Sequence, residues 1–158
     1  MGVRRVGFDA DDLSMPHHTD DVAAHPTLAR ALQQLREYFE GSRRAFDLPL
    51  DLSGATDFQR RIYTRLTEIP FGRTVSYGDL ADELGDPGAA RAVGQAVGSN
   101  PLPVLVPCHR VVRSDGRLGG YSGGLNRKVR LLRLEGLEVE GPRPTSRIYP
   151  DVLRLPLQ

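Results

Sequence analysis

Cys108 is the only cysteine among 158 residues, and His109 follows it directly. The apolar run Val104-Leu105-Val106 and Pro107 precede the pair, and Val111-Val112 comes after. A thiol reacts as its thiolate, and a free cysteine titrates near ~8.5 unless its surroundings change that. A neighbouring imidazole can supply the change, as base or as hydrogen-bond partner. A carboxylate such as Glu135 could then orient the imidazole. A lone cysteine can equally be a small core residue. Side chains adjacent in extended chain point to opposite faces, which argues against direct contact between Cys108 and His109.

Three chemistries are open to these residues. A cysteine hydrolase would use Cys108, His109 and Glu135 as nucleophile, base and acid. A metal site would need several Cys or His at ligand spacing. His17, His18 and His25 lie in a polar stretch with no such pattern, so no metal and no cofactor are expected. A DNA-acting protein would present the thiol to a base.

Charge distribution bears on the third reading. Residues 1–59 carry a net charge of −4, residues 60–135 a net of +5, and the whole chain +1. A basic middle suits a polyanion partner, although a solvated mixed surface has the same composition. A single cysteine excludes an internal disulfide, no charged-then-apolar leader opens the chain, and no apolar run is long enough to span a bilayer. A cytoplasmic protein is the resulting expectation.

The elements that must position Cys108 can be read from periodicity. Gly2–Phe8 reads as a short strand and residues 9–27 as a polar loop. Leu28, Ala31, Leu32, Leu35 and Phe39 recur at helical spacing, and Gly41 stops them. Phe46-Asp47-Leu48-Pro49-Leu50 is extended, because each proline disfavours helix before it. Phe58, Ile62, Leu66 and Ile69 mark a helix that ends before Pro70. Ser76 opens another, with Asp79 three residues on as a capping box, and Gly85 closes it. Asp86 and Pro87 can start a further helix over 88–97, rich in alanine and glycine. Helix, short turn, helix is the helix-turn-helix layout. Small residues let that second helix approach a partner closely, whether DNA or another helix. An extended segment over 104–112 then carries the cysteine, and a glycine-rich loop spans 118–124. Leu125, Val129 and Leu132 give a last helix, closed by Glu135-Gly136.

Several stretches resemble one family in order. Ile69-Pro70-Phe71-Gly72 and Val75-Ser76-Tyr77 resemble its entry into a helix-turn-helix, and Arg91-Ala92-Val93-Gly94 the start of its recognition helix. The run from Asn100 through Pro103 and Pro107-Cys108-His109-Arg110 to Val112 resembles its signature. Tyr121-Ser122-Gly123-Gly124 and Leu131-Leu132-x-x-Glu135-Gly136 follow at the expected distances. Leu35-x-x-Tyr38-Phe39-x-Gly41 and Phe46–Leu50 resemble the end of its N-terminal domain. The chain is thus identified as resembling the O6-alkylguanine-DNA alkyltransferases, also called methylated-DNA–protein-cysteine methyltransferases.

The resemblance implies an α+β fold. Residues 1–52 would form a reduced N-terminal α/β domain, shorter than the family usually carries, with its first strands missing. Residues 53–140 would form a mainly α domain with the helix-turn-helix and a short active-site strand segment. Residues 141–158, with four prolines, would be an irregular tail.

The resemblance also implies roles. Cys108 would attack the alkyl carbon on guanine O6 and keep the alkyl group, so each chain acts once. His109 would reach the thiol through a water, with Glu135 holding the imidazole in its basic tautomer. Tyr77 would donate a proton to the leaving guanine, and Asn100 would brace the turn before the active-site strand. Ala89, Ala90, Arg91, Ala92, Gly94 and Gln95, with Ser76 and Arg110, would contact DNA. Arg91 would fill the space left by a flipped base. Pro103, Val111, Tyr121, Ser122 and Gly123 would line the pocket. The partner would be duplex DNA holding alkylated guanine, bound through the minor groove without sequence preference by a monomer. O4-alkylthymine is a second candidate lesion.

Three alternatives carry their own signatures. A lesion sensor of the same family has lost the acceptor cysteine, commonly to tryptophan, whereas this chain has Cys108. A cysteine hydrolase would turn over. A sequence-specific regulator would need base-reading side chains, which an Ala/Gly helix lacks. One departure from the family lies in a packing helix: Ile62-Tyr63 stands where an apolar-Trp pair is usual.

Overall fold

The computed structural model describes residues 2–8 and 25–149. Most of the expected polar loop, and the end of the tail beyond residue 149, lie outside the described residues. Helix α1 (Pro26–Phe39) places proline in its first turn and turns Ala31, Gln34 and Tyr38 inward. Gln34 clips the following extended segment through both amide groups: Nε2 donates to Asp47 O at 3.2 Å, and Oε1 accepts from Asp47 N at 2.9 Å. The expected strand over Gly2–Phe8 is reduced to one parallel bridge, Val3 to Leu50. Pro49 has no N–H to extend a ladder. Val6 N bonds instead to Pro101 O at 3.0 Å, tying this stretch to the second section.

Helix α2 (Asp57–Thr67) opens on a reciprocal capping box between Thr56 and Gln59. Strand β1 (Val75–Ser76) runs straight into α3 (Tyr77–Glu83), whose capping box joins Ser76 and Asp79 through two bonds of 3.0 Å. Asp86 caps a 3-10 turn over Pro87–Ala89, which leads into α4 (Ala90–Gly98). The anticipated helix over 88–97 therefore begins tighter than an α-helix and ends one residue later. Helix α4 packs on both α3 and α2. Ile62, Leu66, Leu80, Val93, Leu102, Val106 and Val111 meet in one core cluster, each at most 1% exposed. Burial of each such side chain stabilises by about 1.5–3 kcal/mol.

The segment expected to be extended over 104–112 is different. Cys108–Arg110 form a 3-10 turn, and only Val111–Val112 form a strand, β2. Successive side chains in such a turn fan around its axis rather than alternate. This removes the geometric argument against Cys108 and His109 serving one site. β2 pairs parallel with β1, in register Val75–Val111 and Ser76–Val112. Helix α5 (Leu125–Leu134) follows, and Leu132 and Val129 pack with Leu118, Leu137 and Val139 in a second cluster. The tail is not wholly irregular. β3 (Glu138–Val139) pairs antiparallel with β4 (Ile148–Tyr149), carrying the fold past residue 140. Tyr149 completes the hairpin through a 2.8 Å bond from its hydroxyl to Glu140.

Candidate active site

The turn that presents Cys108 is built by Asn100. Its Nδ2 donates to Val106 O at 2.8 Å, and its Oδ1 accepts from Leu102 N at 2.9 Å. Val106 N closes the same loop on Leu102 O at 2.8 Å. The bend forces Val104 to φ +72°, a strained value for a β-branched residue, with its side chain 2% exposed. Such outliers cost on the order of 1–3 kcal/mol and persist only where surrounding contacts hold them. Here the Asn100 clip and the core around Val104 do so.

Cys108 is 3% exposed. Burial pushes its thiol pKa up, while Asn100, Tyr121 and the Lys128 charge oppose that shift by favouring the thiolate. The Tyr121 hydroxyl is itself buried, and among the described residues no group meets hydrogen-bond geometry with it. Burial first, then the neighbouring Cys108, raises the Tyr121 pKa, so it stays a neutral phenol.

His109 is fully buried, and its Nε2 lies 2.8 Å from Glu135 Oε1. A carboxylate only accepts, so Nε2 carries the proton and Nδ1 is left as the basic nitrogen. Among the described residues, Nδ1 has no hydrogen-bond partner. Burial lowers the His109 pKa more than Glu135 raises it, so the imidazole is neutral near pH 7.

Glu135 sits at the C-terminal end of α5 and is the hub of the site. Oε1 accepts from His109, from Arg110 Nη2 at 2.8 Å and from the Tyr38 hydroxyl at 2.7 Å. Oε2 accepts from Arg110 Nε at 2.9 Å and from Gly72 N at 3.1 Å. Gly72 has φ +74°, and a Cβ there would meet Glu135 O at 2.9 Å, so glycine is required for this approach. Burial alone would raise the Glu135 pKa; the bonds from His109 and Arg110 outweigh it and bring the value to about 2.

Lys128, the only lysine, is also fully buried. Its Nζ donates to Val111 O and Leu118 O, each at 2.7 Å, and to Gly120 O at 3.0 Å. It thus joins β2 to the glycine-rich loop beneath Cys108. Burial brings its pKa down to about 8.

Tyr77 follows β1 directly and is half-buried. Its ring lies between Gly94 of α4 and Gly119 of the loop, where added Cβ atoms would come within 3.8 and 3.6 Å of it. Burial, then the charge of Cys108, raises its pKa and keeps the phenol protonated. Gly123 has no room for a side chain: a Cβ would sit 2.8 Å from Tyr121 and 3.0 Å from Phe8. Pro103 and Tyr121 are half-buried and Ser122 is exposed.

Three residues expected to contact DNA or substrate sit elsewhere. Arg110 is 5% exposed and is committed to Glu135 and to Ile69 O, because a guanidinium is what neutralises the buried carboxylate. Ser76 is 8% exposed and is used as the cap of α3. Val111 is fully buried in the core and reaches Lys128 only through its carbonyl. On α4, Arg91, Ala92 and Gln95 are exposed, while Ala89, Ala90 and Gly94 are half-buried. Sequence reasoning did not find Tyr38, Gly72 or Lys128 as members of the site. The uniqueness of Lys128 was the one available signal for it. A cleft of about 590 Å³ opens behind the turn, lined by Pro107 and Arg110 but by neither Cys108 nor His109. It marks the seam between the two sections rather than the reacting face.

Residues 57–137 match the DNA binding domain of 6-O-methylguanine DNA methyltransferase, and residues 2–52 match the ribonuclease-like domain of the same family. A methylated-DNA–protein-cysteine methyltransferase of Mycobacterium bovis is 52% identical over 122 residues, covering 77% of this chain and 72% of the relative. The solved Mycobacterium tuberculosis OGT in complex with DNA superposes with a TM-score of 0.67 at 50% identity, covering 75% of this chain and 69% of that one. Schizosaccharomyces pombe Atl1, solved with damaged DNA containing O6-carboxymethylguanine, superposes with a TM-score of 0.52 at 32% identity, covering 60% and 89%. The chain belongs to the 6-O-methylguanine DNA methyltransferase family.

Proposed function

We propose that Cys108 takes the alkyl group from O6-alkylguanine in duplex DNA, once per chain, and so repairs the base directly. The observation that carries this is a buried Cys108 followed in sequence by a buried, neutral His109 whose Nε2 is held by Glu135 and whose Nδ1 is the basic nitrogen. The thiol proton passes to His109, and the thiolate sulfur attacks the alkyl carbon. The S–C bond forms as the C–O6 bond breaks. The guanine receives the electron pair and a proton from Tyr77, which His109 then restores. The thioether has no route back to a thiol, so the reaction is stoichiometric.

A base stacked in duplex cannot reach a thiol that is 3% exposed, so it must be flipped out. Exposed Ala92 and half-buried Ala90 and Gly94 on α4 would allow close approach to the minor groove, and exposed Arg91 would fill the vacated stack. Backbone contacts from the basic middle section supply affinity without sequence preference. A monomer acting in the cytoplasm satisfies these requirements.

Intact-protein mass after incubation with duplex holding one O6-methylguanine tests the proposal. One methylene gained per chain, mapped to Cys108, is expected. Cys108→Ala should abolish the gain and keep duplex affinity within a few-fold. Tight lesion binding by the wild-type protein without mass gain would instead make it a lesion sensor, and multiple turnovers would overturn the stoichiometric reading. Arg91→Ala should slow transfer from duplex by at least about tenfold while leaving transfer from free O6-alkylguanine base unchanged. Equal losses on both substrates would remove Arg91 from flipping.

A further inference from the structure

The Tyr38 hydroxyl and His109 Nε2 approach the same oxygen, Glu135 Oε1, at 2.7 and 2.8 Å. Tyr38 is on α1, 97 positions before Glu135 and in the stretch that matches the ribonuclease-like domain. The residue is fully buried. Phe39, Phe46 and Phe71 surround its ring, with centroids at 5.3, 5.4 and 6.1 Å. Burial and the Glu135 charge both raise its pKa, so the phenol remains a neutral donor across the working range.

A donor on Oε1 withdraws charge from the oxygen that faces His109. A carboxylate with less charge on that oxygen stabilises imidazolium less. We infer that Tyr38 is a positioning residue of the reaction centre, fixing the Glu135 carboxylate and tuning His109 as a base through the shared oxygen. The N-terminal section thereby supplies a group that holds the carboxylate behind the base. This rests on the reading that His109 and Glu135 activate Cys108. Among the described residues, the other charged groups acting on His109 are Arg110 on its own turn and Lys128 and Glu135 from α5 and its end.

Tyr38→Phe keeps the ring and removes only the hydroxyl. Its expected effect is a rise in the His109 pKa. The acid limb of the single-turnover transfer rate should move up by about one pH unit. NMR titration of labelled histidine should show the same rise for His109, its resonance assigned by its absence from a His109→Gln protein. An unmoved His109 titration would overturn the inference, even with a slower rate, because the hydroxyl would then be structural only. The titration needs no alkyl transfer, so failure of the repair reading and failure of this one are separable. Should Tyr38→Phe not fold, the wild-type protein decides. A slowly exchanging Tyr38 hydroxyl proton with a cross-peak to the His109 ring is expected, and its absence would overturn the proposal.

Discussion

Glu135→Ala should be the most damaging single replacement at the site, lowering unfolding free energy by about 3–5 kcal/mol in urea titration. The reason is what remains rather than what is removed. The Arg110 guanidinium, 5% exposed, would lose its counter-charge, and Tyr38, His109 and Gly72 N would lose their acceptor. Transfer should fall by about 10³–10⁴-fold, the scale on which loss of the orienting acid disables a triad. The wild-type protein should show the same dependence through pH. The Glu135 pKa is depressed from 4.5 to about 2, so its contribution is complete above about pH 4.5 and is lost as pH falls through 2. Unfolding free energy followed from pH 6 to pH 2 should drop by roughly 3 kcal/mol from this group alone. A Glu135→Ala protein as stable as wild type, with an unchanged acid profile, would show that the hub is dispensable.

Lys128→Met should have the second largest effect, and on different observables. Methionine fills similar volume, so the loss isolates the ammonium group. Three carbonyls, on Val111, Leu118 and Gly120, would lose their common donor, each unsatisfied acceptor costing about 1–3 kcal/mol. Removal of a buried charge offsets part of this. A net loss of about 2–4 kcal/mol in denaturant unfolding is expected. The thiol would also lose a positive neighbour that favours its thiolate. Alkylation of Cys108 by iodoacetamide, followed against pH, should shift to higher pH. An unshifted profile would confine Lys128 to holding the loop.

Local signals in the sequence were sufficient where the structure is local. Ser76 with Asp79, Gly85 after α3, Asp86 with Pro87, and Gly136 after α5 each mark a boundary that forms within a few residues. The His109–Glu135 pair was also visible, because residue type and order carry it. Long-range choices were not. Arg110 looks like a DNA contact in sequence, since nothing nearby reveals that a carboxylate 25 positions on takes it inside. Tyr38 looks like an ordinary helical aromatic until α1 is docked against α5. The turn over Cys108–Arg110 escaped notice because Val-rich flanks favour strand, while the Asn100 clip that bends the chain acts across several positions. The β3–β4 hairpin was hidden by Pro142 and Pro144, which sit in the connection rather than in the paired residues.

The burial of Lys128 has a consequence for the outer surface of the protein. With 20 arginines and this one lysine, the side chains exposed to solvent offer guanidinium groups but no primary amine. Reagents that acylate amines will therefore find no side chain of these 158 residues while the chain stays folded. Modification of Lys128 becomes a direct count of molecules that have opened, readable by mass at a single residue adjoining the reactive thiol.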